Sequence, residues 1–473
     1  MATEHRETEV VVVGAGPVGL MLAGELRLAG IDVIVLDELA EPMSESRASQ
    51  LNARTMEILD QRGLLDVLDR PEREKGGHFG GIPLPVDGLD SVHSGHWKIP
   101  QYRTEAALWS WAGELGAVLL RGHRLTELDV RRDDVETVTV SATGSLRVRA
   151  RYLVGCDGEH STVRQLAGFD FAGQDATKEL LRADVSGVDI PDRRFERLER
   201  GLAIAATRGG VTRVMMHRFG AQARDRAGPP TFEEISTTWA DITGEDIGGG
   251  QAVWTDAFDN TTRQATEYRR GRVLLAGDAA HRMMPVGGQA LNIGLQDAVN
   301  LGWKLAAQVR GRAGADLLDS YHDERHPTDA RVLANVEAQA LLLLGDQRTD
   351  ATRNMFTELL RIDTVRRHLG ELVSGLDVRY DVGPGEHPLL GARMPHRAKA
   401  LRSGRGVLLD PGTDEFRATA AKWSDRVDVV PATPDGDAGA ALVRPDGHVA
   451  WIDGTHSDLH TALDRWFGPP KAA

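Results

Sequence analysis

The chain has 473 residues, with 56 basic against 70 acidic side chains and a formal net charge of -14, a length that calls for two or three domains rather than one core. The acidic balance and short arginine runs such as Arg131-Arg132 and Arg193-Arg194 exclude a nucleic-acid surface, which needs clustered positive charge. The single cysteine, Cys156, excludes an internal disulfide or CxxC pair, the polar N-terminus lacks signal-peptide order, and no apolar run nears the ~20 residues that span a bilayer, so a soluble, cytoplasmic protein is expected.

Residues 9–13 form a β-branched run, a glycine-rich turn follows, and 19–29 has helix-forming Leu, Met and Ala before a second buried strand at 31–36. This βαβ opening predicts a parallel sheet and a nucleotide-binding fold. Runs 137–141 and 146–154 read as strands of a small sheet. The stretch 175–265 alternates β-rich pieces such as 211–217 with Gly/Pro turns. A strand returns at 272–276, and 293–309 opens a series of helices running to about residue 372.

The expected fold class is therefore α/β, with a discontinuous Rossmann-like domain (1–174 and 266–385) around a sheet-rich substrate domain (175–265). The tail, 386–473, has strand candidates at 406–409, 427–430, 441–443 and 449–452 and a helix near 459–466, a third α/β unit. No internal repeat is visible.

Gly14-Ala15-Gly16-Pro17-Val18-Gly19 fits GxGxxG between strand and helix. Gly14, Gly16 and Gly19 there permit the tight turn and let backbone N–H groups reach a pyrophosphate. Asp37 closes the next strand, where a carboxylate accepts hydrogen bonds from a ribose diol. FAD and NAD present the same adenosine half, so this motif alone does not choose between them.

Two later segments do. Cys156-Asp157-Gly158 through Arg164, and Ala276-Gly277-Asp278-Ala279-Ala280-His281 after an apolar strand, resemble the DG and GD fingerprints of the class A flavoprotein monooxygenases, the p-hydroxybenzoate hydroxylase family. Ser46-Arg47, Pro100-Gln101, Leu291-Asn292 and the run 296–305 extend the resemblance over essentially the whole chain. Read as bare residues, Asp157 and Asp278 are equally at home as turn or helix caps.

The resemblance implies FAD with NADPH or NADH as electron donor. It assigns Asp37 to the adenosine ribose, Arg47 and Gln101 to the flavin nucleotide, Leu125 to the neighbourhood of adenine, Asp278 to the ribityl chain, and Asp157 and Gly158 to the pyrophosphate and a region used by NAD(P)H. No second GxGxxG appears, so no separate nicotinamide domain is expected.

The loop holding Pro285, Gly287, Gly288, Ala290, Leu291 and Asn292 would meet the flavin pyrimidine edge, where N–H donors at a helix start stabilise negative charge. It departs from the family at Ala290, commonly glycine, where a Cβ threatens to restrict φ or crowd the ring, and at Met284, often proline. No catalytic acid or base is indicated. No metal is expected either, because the 16 histidines form no ligand motif; His281 reads as a support for its loop.

Residues 77–81, 388–391 and 443–451 look like those of bacterial aromatic-polyketide hydroxylases, especially of angucycline pathways. The implied reaction is hydroxylation of a polycyclic phenol by O2 through a flavin C4a-hydroperoxide, in a pocket to which His78, Phe79, Met215, Met216 and Phe258 are assigned. The third unit resembles a thioredoxin-like domain but lacks the cysteines for dithiol exchange, which leaves it a structural or assembly role; a homodimer is left open. The alternatives are a Baeyer–Villiger or rifamycin-modifying monooxygenase and, in another class, a non-catalytic flavin- or polyketide-binding protein.

Overall fold

The computed structural model describes residues 4–43, 48–68, 71–314, 316–395, 398–432, 439–455 and 457–471. Val10, Val11, Val12 and Val13 are all buried because their strand, β1 (Glu4–Val13), lies inside a parallel sheet. The chain turns into helix α1 (Pro17–Leu28) and returns as β2 (Val33–Leu36). β3 (Val118–Leu120) pairs outside β2, and β4 (Gly144–Gly155) pairs with β1 on its other side. β5 (Val273–Leu275) adds to β4 after the middle of the chain has intervened.

The small sheet expected from residues 137–141 and 146–154 is only half correct. β4 is twelve residues long, enough for two roles along one edge. Its first half pairs antiparallel with Val135–Ser141, while its end, from Leu153, pairs in parallel with β5. Its other edge follows β1 from Leu146 to Gly155.

The middle of the chain forms a five-stranded sheet with antiparallel pairings, in the order Arg193–Arg197, Gly201–Arg208, Val211–Arg218, Glu179–Ser186, Gln251–Asp259. One face is covered by a helix that the β-rich reading missed, Phe232–Thr243, which buries Ile235, Trp239 and Ile242. The signal was present as Thr231-Phe232-Glu233-Glu234, a capping box, and the Thr231 hydroxyl does accept from Glu234 N–H. The opposite face packs against two long helices, α2 (Gln289–Val309) and α3 (Ser320–Leu344).

The third unit has strands in the order Val427–Pro431, Gly406–Asp410, Ala441–Val443, Val449–Ile452 with helices Asp414–Ala420 and Leu459–Phe467. One parallel and two antiparallel pairings make this the thioredoxin-like order. It is joined to the long helices by buried charges: Arg444 forks onto Glu324 at 2.5 and 2.7 Å, and Lys304 Nζ lies 2.7 Å from the same carboxylate. These cations outweigh the burial penalty and hold Glu324 down to about 2. No helix among the described residues is long and apolar enough to cross a membrane.

Candidate functional site

The first turn of α1 is where the glycine motif becomes geometry. Gly14 has φ +103°, and a Cβ there would lie 2.3 Å from the Cys156 carbonyl oxygen, so the DG segment presses directly on the first glycine. A Cβ at Gly16 would meet nothing within 4 Å. Gly16 caps α1 without a side-chain hydrogen bond and no acid occupies the first turn. The helix therefore opens onto free space with N–H donors and the positive dipole end uncompensated.

Asp37 stands at the end of β2 and accepts from Ala15 N–H at 2.6 Å and Leu39 N–H at 2.8 Å. Two hydrogen bonds leave a carboxylate further acceptor capacity. His123 N–H donates to the Asp37 carbonyl, two residues before Leu125, whose side chain is part of the main core. Gln101 starts helix Gln101–Glu114 and exchanges hydrogen bonds with Ala48, next to Arg47. Arg47 itself lies outside the described residues.

Asp157 accepts from Ser161 Oγ at 2.5 Å and Val163 N–H at 3.0 Å. It thereby initiates the short helix Thr162–Leu166, and burial raises its pKa above the usual carboxylate range. Gly158, with φ +80°, has nothing within 4 Å of a Cβ position. The cap of that helix is Ser161, whose Oγ accepts from Arg164 N–H at 2.9 Å, and Asp157 braces it from the preceding turn.

The GD turn is held from below by a buried cluster. Asp297 accepts from Gly277 N–H at 3.0 Å, His281 Nε2 at 2.8 Å and Arg325 Nε at 2.7 Å. Arg325 also pairs with Asp329, which receives the Tyr268 hydroxyl. Burial alone would lower the His281 pKa, but Asp297 and Asp329 outweigh it and hold the imidazole at about 9. His281, Asp297 and Asp329 are close enough to ligate an ion, yet Arg325 already satisfies both carboxylates. Asp278 projects from this turn at the surface.

In the 285–292 loop, Gly287 and Gly288 both have φ near +70°, the left-handed region glycine tolerates. Gly288 begins α2 without a side-chain cap or a first-turn acid, a second open helix N-terminus. Ala290 is inside the helix, and Phe195 is the only non-glycine of positive φ among the described residues. The feared restriction on φ is absent, because this position asks for ordinary helical backbone. Asn292 is spent on structure: its amide accepts from Asn52 N–H and donates to the Gln50 and Gly288 carbonyls. Leu291 packs against the main core.

Strand Gly76–Phe79 packs against this loop, and its alternation divides the two pocket candidates it carries. His78 lines a cavity of about 350 Å³ together with Gln50, His96, Lys98, Arg194, Phe195 and Ile204, among others. Phe79 turns away and stacks on Phe356 at 5.8 Å in a separate core with Leu84 and Leu342, so it is no wall of that cavity. Met215 and Phe258 join Met283, Met284, Val286 and Ala290 facing the loop. Met216 points to the back of its sheet, beside Trp239.

A model of the FAD binding domain matches residues 7–336 and one of the aromatic-ring hydroxylase C-terminal domain matches 387–470. The chain belongs to the FAD-dependent aromatic-ring hydroxylases. It is 43% identical to the 12-dehydrotetracycline 5-monooxygenase/anhydrotetracycline 6-monooxygenase of Streptomyces rimosus, covering 98% of this chain and 99% of that one. A rifampicin monooxygenase of Streptomyces venezuelae is 42% identical over the same shares. The crystal structure of CabE, an aromatic hydroxylase from angucycline biosynthesis, superposes with TM-score 0.95 at 48% identity, over 98% of this chain and 100% of CabE.

The residues of this hydroxylase fit its flavin. Two uncapped helix N-termini suit the pyrophosphate and the anionic edge of a reduced isoalloxazine, and the space over Gly16 is what a phosphate needs. Sequence reasoning missed His96, Lys98, Arg194 and Phe195, which belong to no motif and reach the cavity from two strands, His96–Lys98 and Arg193–Arg197. No sequence signal marked any of them; Phe195 is placed by the structure, where a bulge between Arg193 and Glu196 accompanies the turn of its ring onto His78 at 4.1 Å, as bulges re-aim side chains at functional rims.

Proposed function

We propose that this enzyme hydroxylates a fused polycyclic phenol of the aromatic-polyketide kind, consuming NAD(P)H and O2 during the making of an antibiotic. The observation that carries the proposal is the cavity of about 350 Å³ lined from strand Gly76–Phe79, which itself packs against the 285–292 loop. Its volume falls within the 300–1,000 Å³ typical of small-molecule pockets, and its wall includes the charged Glu74, Lys98, Asp192, Arg193, Arg194 and Arg208. Bound FAD supplies reduction by the nicotinamide and activation of oxygen. The chain's own residues bind, orient and exclude water.

Gly14, Gly16 and Gly19 admit the pyrophosphate to α1, Asp37 takes the adenosine ribose, and Arg47, Gln101 and Asp278 hold the rest of the nucleotide. The N–H groups opening α2 face the pyrimidine edge. Met215 and Phe258 add apolar surface on the loop side, where water would otherwise quench the oxidant. The enzyme works in the cytoplasm, where NAD(P)H is supplied.

The rifampicin monooxygenase relative supports a second reading, modification of a finished antibiotic, with Baeyer–Villiger oxygen insertion as its chemical variant. One experiment separates these. The holoenzyme is mixed anaerobically with NADPH and a tetracyclic phenol, then exposed to air. Bleaching of the flavin followed by a product heavier by one oxygen, with a new ring hydroxyl by NMR, is expected. A lactone, or a flavin that is never reduced, overturns the proposal.

A further inference from the structure

Arg193, Arg194 and Phe195 follow one another in the chain, yet all three line the cavity that His78 also lines. A regular strand sends alternate side chains to opposite faces and could not do this. The bulge between Arg193 and Glu196 breaks the alternation, and Phe195 takes a φ of +52°, the left-handed region, alone among the described non-glycine residues. Such a conformation costs about 1–3 kcal/mol and collects at ligand sites. Here it lays the half-buried Phe195 ring 4.1 Å from His78. The neighbouring Arg194 guanidinium lies over Gly76, itself part of the cavity wall, where a Cβ would sit 3.8 Å from Nη2.

The charges on this wall are unequally matched. Lys98 Nζ lies 3.5 Å from Glu74, which also faces Arg208 at 4.0 Å. Arg193 turns to Glu196 and Glu245, and Asp192 accepts from Thr207 N–H at 2.9 Å. Arg194 has no carboxylate partner among the described residues; its one hydrogen bond is a long one, 3.4 Å, to the Gly76 carbonyl. Its side chain is exposed, so a ligand in the cavity can reach it. Burial, then His96 and Arg194, push His78 down to about 3; burial, then Lys98 and Arg194, push His96 down to about 4. Both rings are uncharged at neutral pH, and the positive charge of Arg194 is felt on the cavity side of its strand.

Building on the hydroxylase reading, we propose that the substrate is an anionic polycycle, whose carboxylate is taken by Arg194 at the cavity wall while the Phe195 ring stacks on its fused rings. A planar guanidinium matches a carboxylate with two parallel N–H···O bonds, and an aromatic face receives a fused ring system by offset stacking. In a chain of net charge -14, an uncompensated cation at the cavity selects for the anion. It also tethers one end of the polycycle, so the position of the carboxylate decides which ring is presented for oxygenation. Arg194 binds substrate in this account, and no bond is made or broken at it.

The test uses FAD-loaded enzyme and two probes of nearly equal shape, anthraquinone-2-carboxylate and its neutral carboxamide, with affinity read by quenching of protein fluorescence. The wild type should bind the carboxylate more tightly, and high salt should erode that preference; this arm needs no variant. Arg194→Gln should weaken the carboxylate about tenfold while leaving the carboxamide unchanged, and Arg194→Lys should restore part of the loss. Phe195→Ala should weaken both probes alike. NADPH carries the other anion that could meet this arginine, so it is titrated as well, and its affinity should not change in Arg194→Gln. A loss confined to NADPH, equal wild-type affinity for the two probes, an equal loss of both in Arg194→Gln, or no loss of either in Phe195→Ala overturns the proposal. Because binding is measured without turnover, normal probe selectivity in an enzyme that never oxygenates would refute the hydroxylase reading and leave Arg194 standing.

Discussion

His281 Nε2 lies 2.8 Å from Asp297 Oδ2, and neither side chain has exposed surface. Through Asp297 this pair also fixes Gly277 N–H, so the GD turn depends on a protonated imidazole. The His281 pKa, held at about 9 against an ordinary 6.5, contributes stability that is complete below 6.5 and lost as pH rises through 9. Burial raises Asp329 to about 7, which acts in the same direction. Thermal stability and FAD retention should fall together as pH rises toward 9, and His281→Gln should flatten that fall. A wild-type profile level through pH 9 would remove the assignment.

Gly14 and Gly16 should fail differently. At Gly14 a side chain meets backbone at 2.3 Å and a φ of +103°, so Gly14→Ala should lower the melting temperature and abolish flavin binding. A Cβ at Gly16 meets no protein atom, so Gly16→Ala should melt like the wild type yet lose affinity in an FAD titration. Asp278→Ala should likewise weaken FAD without unfolding the chain.

Phe79→Ala should destabilise the fold by about 3–5 kcal/mol, the cost of emptying an aromatic core site, with KM for substrate unchanged in whatever enzyme remains folded. Met215→Ala should do the opposite, raising KM with little change in denaturant midpoint. Reversed outcomes would mean that the two faces have been exchanged.

Ala290→Gly places glycine inside a regular helix and should cost about 1 kcal/mol without altering the rate of flavin reduction. Stopped-flow reduction by NADPH is the measurement, and a changed rate would return Ala290 to the list of flavin-crowding residues.

Glu324→Gln leaves two buried cations, Lys304 and Arg444, facing a neutral amide, with the Asp446 carboxylate on Arg444 as the one remaining counter-charge. A loss of about 3–5 kcal/mol in chemical denaturation is expected. Replacing Arg444, Glu324, Lys304 and Asp446 together by apolar residues, so that no buried charge is left without its partner, should recover part of it.

The βαβ opening, the three motifs and the third unit were legible because each is local: a strand, a turn and a helix lie within a few residues of one another. The dual role of β4 was not, since its second partner, Leu275, is 120 positions beyond Gly155 and only a tertiary register brings them together. The cavity was half legible for a related reason. His78 was found through its motif, but strand alternation sends Phe79 elsewhere, and His96 arrives on a three-residue strand, His96–Lys98, too short to carry a periodicity. Ala290 looked exposed as a risk because residue identity was compared without the backbone conformation that decides whether glycine is needed.

The late arrival of β5 sets an order on synthesis. When Gly155 leaves the ribosome, its edge of the sheet still lacks a partner, and the whole five-stranded insert must be made before Val273, Leu274 and Leu275 can fill it. A nascent chain in this interval carries an open apolar strand edge, the kind of surface on which incomplete domains aggregate. Yield during expression should therefore be governed by how quickly the insert folds, and slow translation upstream of residue 273 would prolong the vulnerable stage.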